Sequence, residues 1–418
     1  MGEGAARWGV SEEESEEAAQ RQIGFAAKLG VTSAGGGEQT QTMKKSDSAG
    51  TENCGAGGAG WLERLAQHDH EQVIVMQNRE TGLRGFVAIH DTTLGPAFGG
   101  VRILPYASET AALEDALRLS RAMTYKASLA GLPCGGGKTT LVEHPGLRRA
   151  GAFELLGAMV ESLGGRYFCA RDVGILDADL EAMARTTRFV GRDPAPGLGD
   201  VSEHTAIGVW HSMRACLEAA GIGGKARVAI QGVGSVGGWL ARILAREGFS
   251  LAVADAREER AAAVARETGA RVMAAEEILF AEAEVLAPCA LGGVLHAETI
   301  ARLRCRVVCG CANNMLATPE DGEAMAARGI LYAPDYLANA GGLIRGADFF
   351  VLGVEDSGPS LARIYERTHE VIARAKAEGI STARAADRLA EARLKPRKTH
   401  REMTWSGKVR AAALTGAE

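Results

Sequence analysis

The 418-residue sequence lacks the features of several protein classes. No apolar run reaches the roughly 18 residues that a membrane-spanning helix needs, so we expect no membrane span. The acidic N-terminus has no apolar h-region, so we expect no secretory signal. The net charge is −5 and no basic stripe is present, which argues against nucleic acid as the main partner. The eight cysteines form no two CxxC units, so we expect reduced thiols, no bound metal and a cytoplasmic location.

What is present is the composition of an α/β protein of about two domains, with 46% hydrophobic and 24% charged residues. Strands and helices alternate from about residue 70, and the loop-like "PAPGLGD" (194–200) marks a boundary. We expect a substrate-binding and dimerisation domain at 59–199, completed by C-terminal helices within 355–418. We expect a Rossmann-type domain at 200–354, with the active-site cleft between the two domains.

Residues 1–58 are rich in Gly, Ser, Glu and Gln. They hold nine acidic and five basic residues, and so contribute −4 of the net charge of −5. Such a segment buries too little apolar surface to order itself. We interpret it either as a disordered tail or as an over-extended start, with true initiation near Met43.

The segment "GLPCGGGKTT" (131–140) resembles a phosphate-binding loop, but its context excludes that interpretation. A phosphate loop needs a Gly six residues before the Lys, and Leu132 stands there. It also follows a strand and opens a helix, whereas here a helical pattern precedes and the strand-like "TTLVEH" follows. The segment is therefore predicted to be a glycine-rich turn that ends at Lys138.

A dinucleotide fingerprint lies farther along the chain, where Gly232, Gly234 and Gly237 form GxGxxG between the strand-like "VAI" and a helical pattern. The start of that helix would offer free N–H groups to a pyrophosphate. Asp255 follows 18 residues after Gly237 and could accept hydrogen bonds from ribose hydroxyls, which favours NAD over NADP. Arg257 weakens this inference, because an arginine there could meet a 2′-phosphate.

The first domain supplies charged residues suited to a substrate that carries a carboxylate. Lys126 and Lys138 are twelve residues apart on either side of a tight turn, and Asp172 follows the strand-like "GRYFCAR". A lysine with the ordinary pKa near 10.4 is a poor base at neutral pH. Burial and a nearby cation both favour its neutral form, and Lys126 could be the cation that acts on Lys138.

Blocks around these residues resemble the leucine/phenylalanine/valine dehydrogenases, which are relatives of glutamate dehydrogenase. They are "GPAFGGVRI", "EDALRLSRAMTYKASLAGLPCGGGK", "ARDVG", "QGVGSVG", "APCALGG", "CANNML" and "YAPDYLANAGGLI", which occur in that order over roughly residues 70–350. The resemblance implies NAD-dependent, reversible oxidative deamination of an L-amino acid to a 2-oxo acid and ammonia by a homo-oligomer.

The resemblance also implies roles for individual residues. Lys138 would be the general base that activates water, and Asp172 would exchange protons with the substrate nitrogen. The expected substrate-binding residues are Lys126, Phe98, Gly99, Gly100, Ala170, Asn314, Leu343 and Gly346, of which Lys126 and Asn314 would bind the α-carboxylate. The expected cofactor-binding residues are Gly232, Val233, Gly234, Ser235, Val236, Gly237, Gly238, Asp255 and Asn313.

The side chain of the substrate is expected to be apolar. Glutamate dehydrogenases have a Lys at position 98, and Phe98 cannot pair with a second carboxylate. Phe98 narrows the expected pocket and Gly346 widens it, so branched-chain and aromatic substrates both remain open. The alternative functions are a non-catalytic NAD-binding regulator on the same fold and an NADP-linked oxidoreductase, the latter disfavoured by Asp255.

Overall fold

The computed structural model describes residues 61–67, 69–192 and 195–394. The tail predicted at 1–58 and the chain beyond residue 394 lie outside these ranges. Helix α1 (Trp61–Gln67) belongs to a unit of its own, and all its residues are exposed or half-buried. Everything described below belongs to the second unit.

Five strands form the first sheet: β1 (Gln72–Gln77), β2 (Arg84–Asp91), β3 (Ala97–Leu104), β4 (Gly135–Val142) and β5 (Tyr167–Arg171). Their order is β1-β2-β4-β3-β5, with antiparallel pairing at β1/β2 and β2/β4 and parallel pairing at β3/β4 and β3/β5. The central position of β3 and β4 places their side chains in the middle of the first domain.

The second sheet comprises β6 (Arg227–Gln231), β7 (Ser250–Ala254), β8 (Arg271–Val272), β9 (Val285–Pro288), β10 (Val307–Val308) and β11 (Leu331–Tyr332). All five of its pairings are parallel, in the order β11-β10-β9-β6-β7-β8. Numbered from β6, this is the 3-2-1-4-5-6 order of the Rossmann fold, whose ligands bind where the order reverses, between β6 and β9.

The helices that follow α1 pack on these sheets and between them. They are α2 (Glu109–Leu129), α3 (Arg149–Ser162), α4 (Asp177–Ala184), α5 (Val201–Ala219), α6 (Ser235–Arg246), α7 (Glu258–Thr268), α8 (Ala297–Arg302), α9 (Pro319–Ala327), α10 (Asp335–Ala338), α11 (Gly341–Gly346), α12 (Gly358–Glu378) and α13 (Thr382–Leu394). A 3-10 turn occupies Ile278–Phe280, and a π-helix occupies Ala347–Leu352.

Helix α2 forms where the sequence predicts it, because Ser108 caps its N-terminus and accepts a hydrogen bond from the Ala111 N–H at 3.1 Å. Its apolar stripe packs across β2 and β4, and α13 packs on its other side. One apolar core joins the first sheet to residues from α10 through α13, and two smaller cores flank the second sheet. The predicted two-part α/β fold is confirmed, whereas the predicted domain limits stay a prediction.

Candidate active site

Lys138 lies in the middle of β4, so the predicted glycine-rich turn is wrong. Three glycines precede Lys138 in this strand because three neighbours approach too closely for a side chain. A Cβ at Gly135 would lie 1.8 Å from the Asp91 carbonyl oxygen, and one at Gly136 would lie 2.1 Å from the backbone nitrogen of Thr124 in α2. The glycines therefore serve close packing around the strand.

The Lys138 side chain crosses the neighbouring strand β3 to reach Asp172 at the end of β5. Its Nζ donates a hydrogen bond to Asp172 Oδ2, and the lysine is buried. Gly100 lies between the two charged residues. A Cβ at Gly100 would lie 2.7 Å from Asp172 Cβ and 3.2 Å from Lys138 Nζ. The bare backbone at Gly100 is therefore what lets the ion pair form.

Arg102 extends this pair into a network that the sequence analysis did not find. Its Nε donates to Asp172 Oδ2 at 3.0 Å and its Nη1 to Asp115 Oδ2 at 3.2 Å. The Tyr106 hydroxyl also donates to Asp115, at 2.8 Å. Strand alternation could have revealed Arg102, because it shares a face of β3 with Phe98 and Gly100.

The network sets the protonation of both catalytic candidates. Burial lowers the pKa of Lys138; the Asp172 carboxylate opposes this and the Arg102 charge reinforces it, so the pKa stays below the ordinary lysine value. Burial alone would raise the pKa of Asp172, but the charges of Lys138 and Arg102 outweigh it and lower that pKa. Asp172 is thus held as a carboxylate, while Lys138 loses its proton more readily than a free lysine.

Lys126, in the last turns of α2, reaches the segment that follows the second sheet. Its Nζ donates to Asn339 Oδ1 at 2.6 Å, and Asn339 Nδ2 donates to Asn313 Oδ1 at 2.9 Å. Burial lowers the pKa of Lys126 to about 8; Asp335 opposes the shift and Lys138 contributes to it. Asn339 lies within the block "YAPDYLANAGGLI", but its contact with Lys126 could not be predicted from the sequence. Asn314 is exposed and has a left-handed backbone with φ 51°.

Aromatic rings line the same face of the first sheet, nearer the start of β3 and β5 than the charged residues are. Phe98 stacks on Phe168 with ring centroids 5.3 Å apart, and Phe168 stacks on Phe350 at 5.6 Å. A Cβ at Gly346 would lie 3.3 Å from Phe98 Cζ, so the ring occupies the space that a side chain at 346 would need. Ala170 pairs with Gly100 between the rings and Asp172, and Leu343 is buried in α11. Alternation from Asp172 through Ala170 could have indicated Phe168, whereas no local signal indicates Phe350.

The nucleotide loop has the geometry of a dinucleotide cradle. Gly232 has φ +88°, which favours glycine, and a Cβ at Gly237 would lie 2.0 Å from the Gly232 carbonyl oxygen. At Gly234 no atom lies within 4 Å of a Cβ position, so the backbone there is open to a ligand. Helix α6 begins directly after Gly234 with no side-chain cap, which leaves its first N–H groups for a phosphate.

Asp255 is tied to this loop at the end of β7. Its Oδ2 accepts a hydrogen bond from the Val233 N–H at 2.9 Å, and its Oδ1 accepts one from the Arg257 N–H at 3.0 Å. A carboxylate has about four acceptor positions, so it can still accept from ribose hydroxyls. The loop and Asp255 together fit a dinucleotide.

Comparison with known proteins identifies the family. Residues 70–189 match the Glu/Leu/Phe/Val dehydrogenase dimerisation domain, and residues 251–347 match the Glutamate/Leucine/Phenylalanine/Valine dehydrogenase domain. Leucine dehydrogenase of Thermoactinomyces intermedius is 43% identical over 342 residues, which are 80% of this chain and 93% of that protein. Valine dehydrogenase of Streptomyces albus is 43% identical over 340 residues, which are 78% and 93% of the two chains.

The chain belongs to the Glu/Leu/Phe/Val dehydrogenase family. The resemblance predicted from the sequence is confirmed, and so is its enzyme class, an oxidoreductase of amino acids. The structure of L-tryptophan dehydrogenase from Nostoc punctiforme is 37% identical, has a TM-score of 0.73, and covers 80% of this chain and 98% of that one. Glutamate dehydrogenase of Thermus thermophilus, 23% identical with a TM-score of 0.64 over 93% and 97% of the chains, shares the fold.

The predicted site residues form two groups in this dehydrogenase. Lys138, Asp172 and Gly100 contact one another in the first group, and Phe98 contacts Gly346 in the second. Lys126 joins the first group through its electrostatic contact with Lys138. Within the described ranges, no cluster of three or more His, Cys, Asp or Glu side chains could hold a metal ion. In the same ranges, no helix is both long and apolar enough to cross a membrane.

Proposed function

We propose that this dehydrogenase catalyses the NAD-dependent, reversible oxidative deamination of an apolar L-amino acid to its 2-oxo acid and ammonia. The observation that supports this most directly is the buried Lys138–Asp172 pair laid over the bare backbone of Gly100. A base with a lowered pKa and a carboxylate beside it can carry the proton transfers that deamination of an amino acid requires.

Lys126 is proposed to bind the α-carboxylate of the substrate. Its ammonium is held by Asn339, and desolvation makes its charge attractive to an anion that can replace lost water. Asn314 would add a hydrogen bond to the same carboxylate from its exposed position. Gly99 and Gly100 would let the substrate backbone lie against β3.

Lys138 and Asp172 are proposed to move protons. The residues of the nucleotide loop would hold NAD, which would supply the acceptor for the hydride of the substrate Cα, and the substrate would become an iminium. Neutral Lys138 then takes a proton from water as the water oxygen attacks the iminium carbon. Asp172, held as a carboxylate by Lys138 and Arg102, accepts a proton from the substrate ammonium before hydride loss and returns it to the nitrogen of the carbinolamine that water addition forms. The C–N bond then breaks, ammonia leaves, and the hydroxyl proton passes to solvent as the carbonyl of the 2-oxo acid forms.

Asp255 is proposed to select NAD over NADP. Its carboxylate, fixed by two backbone N–H groups, would accept from the ribose hydroxyls and repel a 2′-phosphate. The residues Gly232 to Gly238 would hold the pyrophosphate, with Asn313 near the nicotinamide end.

The substrate side chain is proposed to be apolar, because it would lie against the rings of Phe98, Phe168 and Phe350. A second carboxylate among them would be desolvated without a partner. We also propose a homo-oligomer, because residues 70–189 match a dimerisation domain. The cytoplasmic location stays a prediction.

The test is NADH production by the full-length protein with L-Leu, L-Val, L-Ile, L-Phe, L-Trp and L-Glu, each supplied with NAD and with NADP. We expect turnover of one or more apolar amino acids with NAD and little with L-Glu or NADP. Lys138→Ala should abolish turnover while NAD still binds. Absence of activity with all six amino acids would refute the proposal and favour the NAD-binding regulator.

A further inference from the structure

Arg345, at the end of α11, is a buried cation that the proposed reaction does not use. Only 3% of the surface of Arg345 is exposed. Its Nε donates to the Leu198 carbonyl at 2.7 Å, and its Nη2 donates to the Gly197 carbonyl. Its Nη1 donates to the Glu355 carbonyl at 2.6 Å and is 3.3 Å from Ser357 Oγ. Every one of these acceptors is neutral, so the guanidinium acts here as a set of hydrogen-bond donors.

These bonds fasten three chain segments to one another. Residues 195–199 precede α5 and lead from the first sheet towards the second, and residues 353–357 lead from the π-helix into α12. Arg345 itself lies between them in α11. A planar guanidinium with five N–H groups can reach three directions at once, which a lysine ammonium on a flexible stem does less well. Loss of this side chain would release both connecting segments.

The same segments carry one wall of the aromatic cluster. The Arg345 Cζ lies 5.1 Å from the centroid of the Phe349 ring, and a Cβ at Gly197 would lie 3.5 Å from Phe349 Cε2. Phe349 packs edge-on against Phe350 at 5.0 Å, and Phe350 stacks on Phe168. A continuous set of contacts therefore runs from the guanidinium to the rings beside Ala170.

The π-helix lies at the centre of these contacts. π-helical turns are rare in proteins, and those that occur often lie at functional sites. This one buries Phe349 and Phe350 on consecutive positions and also buries Asp348. Burial raises the pKa of Asp348, while Ser357, Ser360 and the charges of Arg363 and Arg345 act in the opposite direction. Arg345 is thus linked to this turn by charge as well as by ring contact.

We propose that Arg345 is a positioning residue that determines substrate specificity. It fixes the 195–199 segment and the π-helix, and so holds Phe350 against Phe168, which in turn stacks on Phe98. These rings then close the far end of the pocket for the substrate side chain. The proposal rests on the proposed function, since it concerns the same pocket. Its consequence is that release of Arg345 enlarges the pocket without changing Lys126, Lys138 or Asp172.

The test compares full-length wild type with Arg345→Met, which keeps the length of the side chain and removes its donors, and with Arg345→Lys. Arg328→Met is the matched control, because Arg328 also donates to backbone carbonyls, of Ile300 and Leu303, beside the second sheet. We expect the ratio of kcat/KM for L-phenylalanine to that for L-valine to rise at least tenfold in Arg345→Met and less in Arg345→Lys. The KM of Arg345→Met for NAD should stay within twofold of wild type. The ratio of the kcat/KM values in the control variant Arg328→Met should also stay within twofold of wild type.

A ratio within twofold of wild type in a folded Arg345→Met would overturn the inference, and so would a fall in the ratio. If Arg345→Met does not fold, Phe349→Leu interrupts the same contacts and should shift the ratio in the same direction. Hydrogen exchange separates this inference from the proposed function, because it needs no activity. Arg345→Met should speed amide exchange in 195–199 and 347–357 only, and unchanged exchange there would overturn the inference even if the wild type oxidised no amino acid.

Discussion

Gly100→Ala tests whether proton transfer depends on the bare backbone between Lys138 and Asp172. The backbone of Gly100 has no positive φ, so an alanine is conformationally allowed there. The added Cβ would nevertheless lie 2.7 Å from Asp172 Cβ. Carbon atoms pack at about 3.5–4.0 Å, so Asp172 must move by about 1 Å. The carboxylate would then leave its position against Lys138 Nζ.

A misplacement of about 1 Å costs on the order of 100-fold in rate, which is about 2.7 kcal/mol in activation free energy. Overpacking of the sheet should cost about 1–3 kcal/mol in the free energy of unfolding, so the variant still folds. We therefore expect kcat to fall about 100-fold while Tm falls only modestly.

The assay is kcat for NADH production at saturating amino acid and NAD, with Tm measured by circular dichroism. Gly223→Ala is the matched control, because Gly223 is exposed and no atom lies within 4 Å of its Cβ position. A folded Gly100→Ala that keeps kcat within about threefold of wild type would refute the reasoning, since the ion pair would then not need the open backbone.

The charges of Lys126 and Asp172 and the N-terminal segment can each be tested separately. In its proposed role, Lys126 would bind the substrate carboxylate only when protonated, and burial lowers its pKa to about 8. The KM for the amino acid should therefore rise as the pH increases through 8, about tenfold one pH unit above it, and a flat KM would contradict this role. Asp172→Asn should lower kcat about 100-fold or more, and normal kinetics would exclude the proton exchange. If Lys138 is the base, kcat should rise with pH as Lys138 loses its proton; because the Asp172 charge raises the pKa of Lys138, this rise should move to lower pH in the variant. Deletion of residues 2–58 should leave kcat and Tm unchanged, and a large loss of either would show that the tail is structural.

Features set by local chemistry could be predicted from the sequence. Helix α2 begins where predicted because Ser108 and the apolar spacing act within a few residues. The nucleotide loop was recognisable because each of its glycines has a role within one strand–turn–helix unit. Asp172 was identifiable for the same reason, since it directly follows a strand.

Features set by distant contacts could not be predicted. Glycine is unfavourable in strands, so "CGGGK" indicated a turn, whereas contacts from Asp91 and α2 require those glycines within β4. Asn339 meets Lys126 across 213 residues of sequence. The cation whose charge most lowers the pKa of Lys138 is Arg102, on the neighbouring strand, whereas Lys126 was the predicted one. The sequence gives no local signal for Arg345, because two of its four acceptors, the carbonyls of Gly197 and Leu198, lie 148 and 147 residues away.

The placement of Lys138 on a central strand has a consequence for how substrate preference can change in this enzyme. The proposed base Lys138 is built into the sheet, and Asp172 directly follows its edge strand β5. A shift of one residue in either strand would turn its side chains to the opposite face. One side of the aromatic cluster, formed by Phe349 and Phe350, instead comes from the helical stretch 341–352, which is a contiguous piece of chain. Exchange of that stretch as a cassette between relatives, with position 98 changed to match, would alter which amino acid is accepted and leave the machinery of deamination in place.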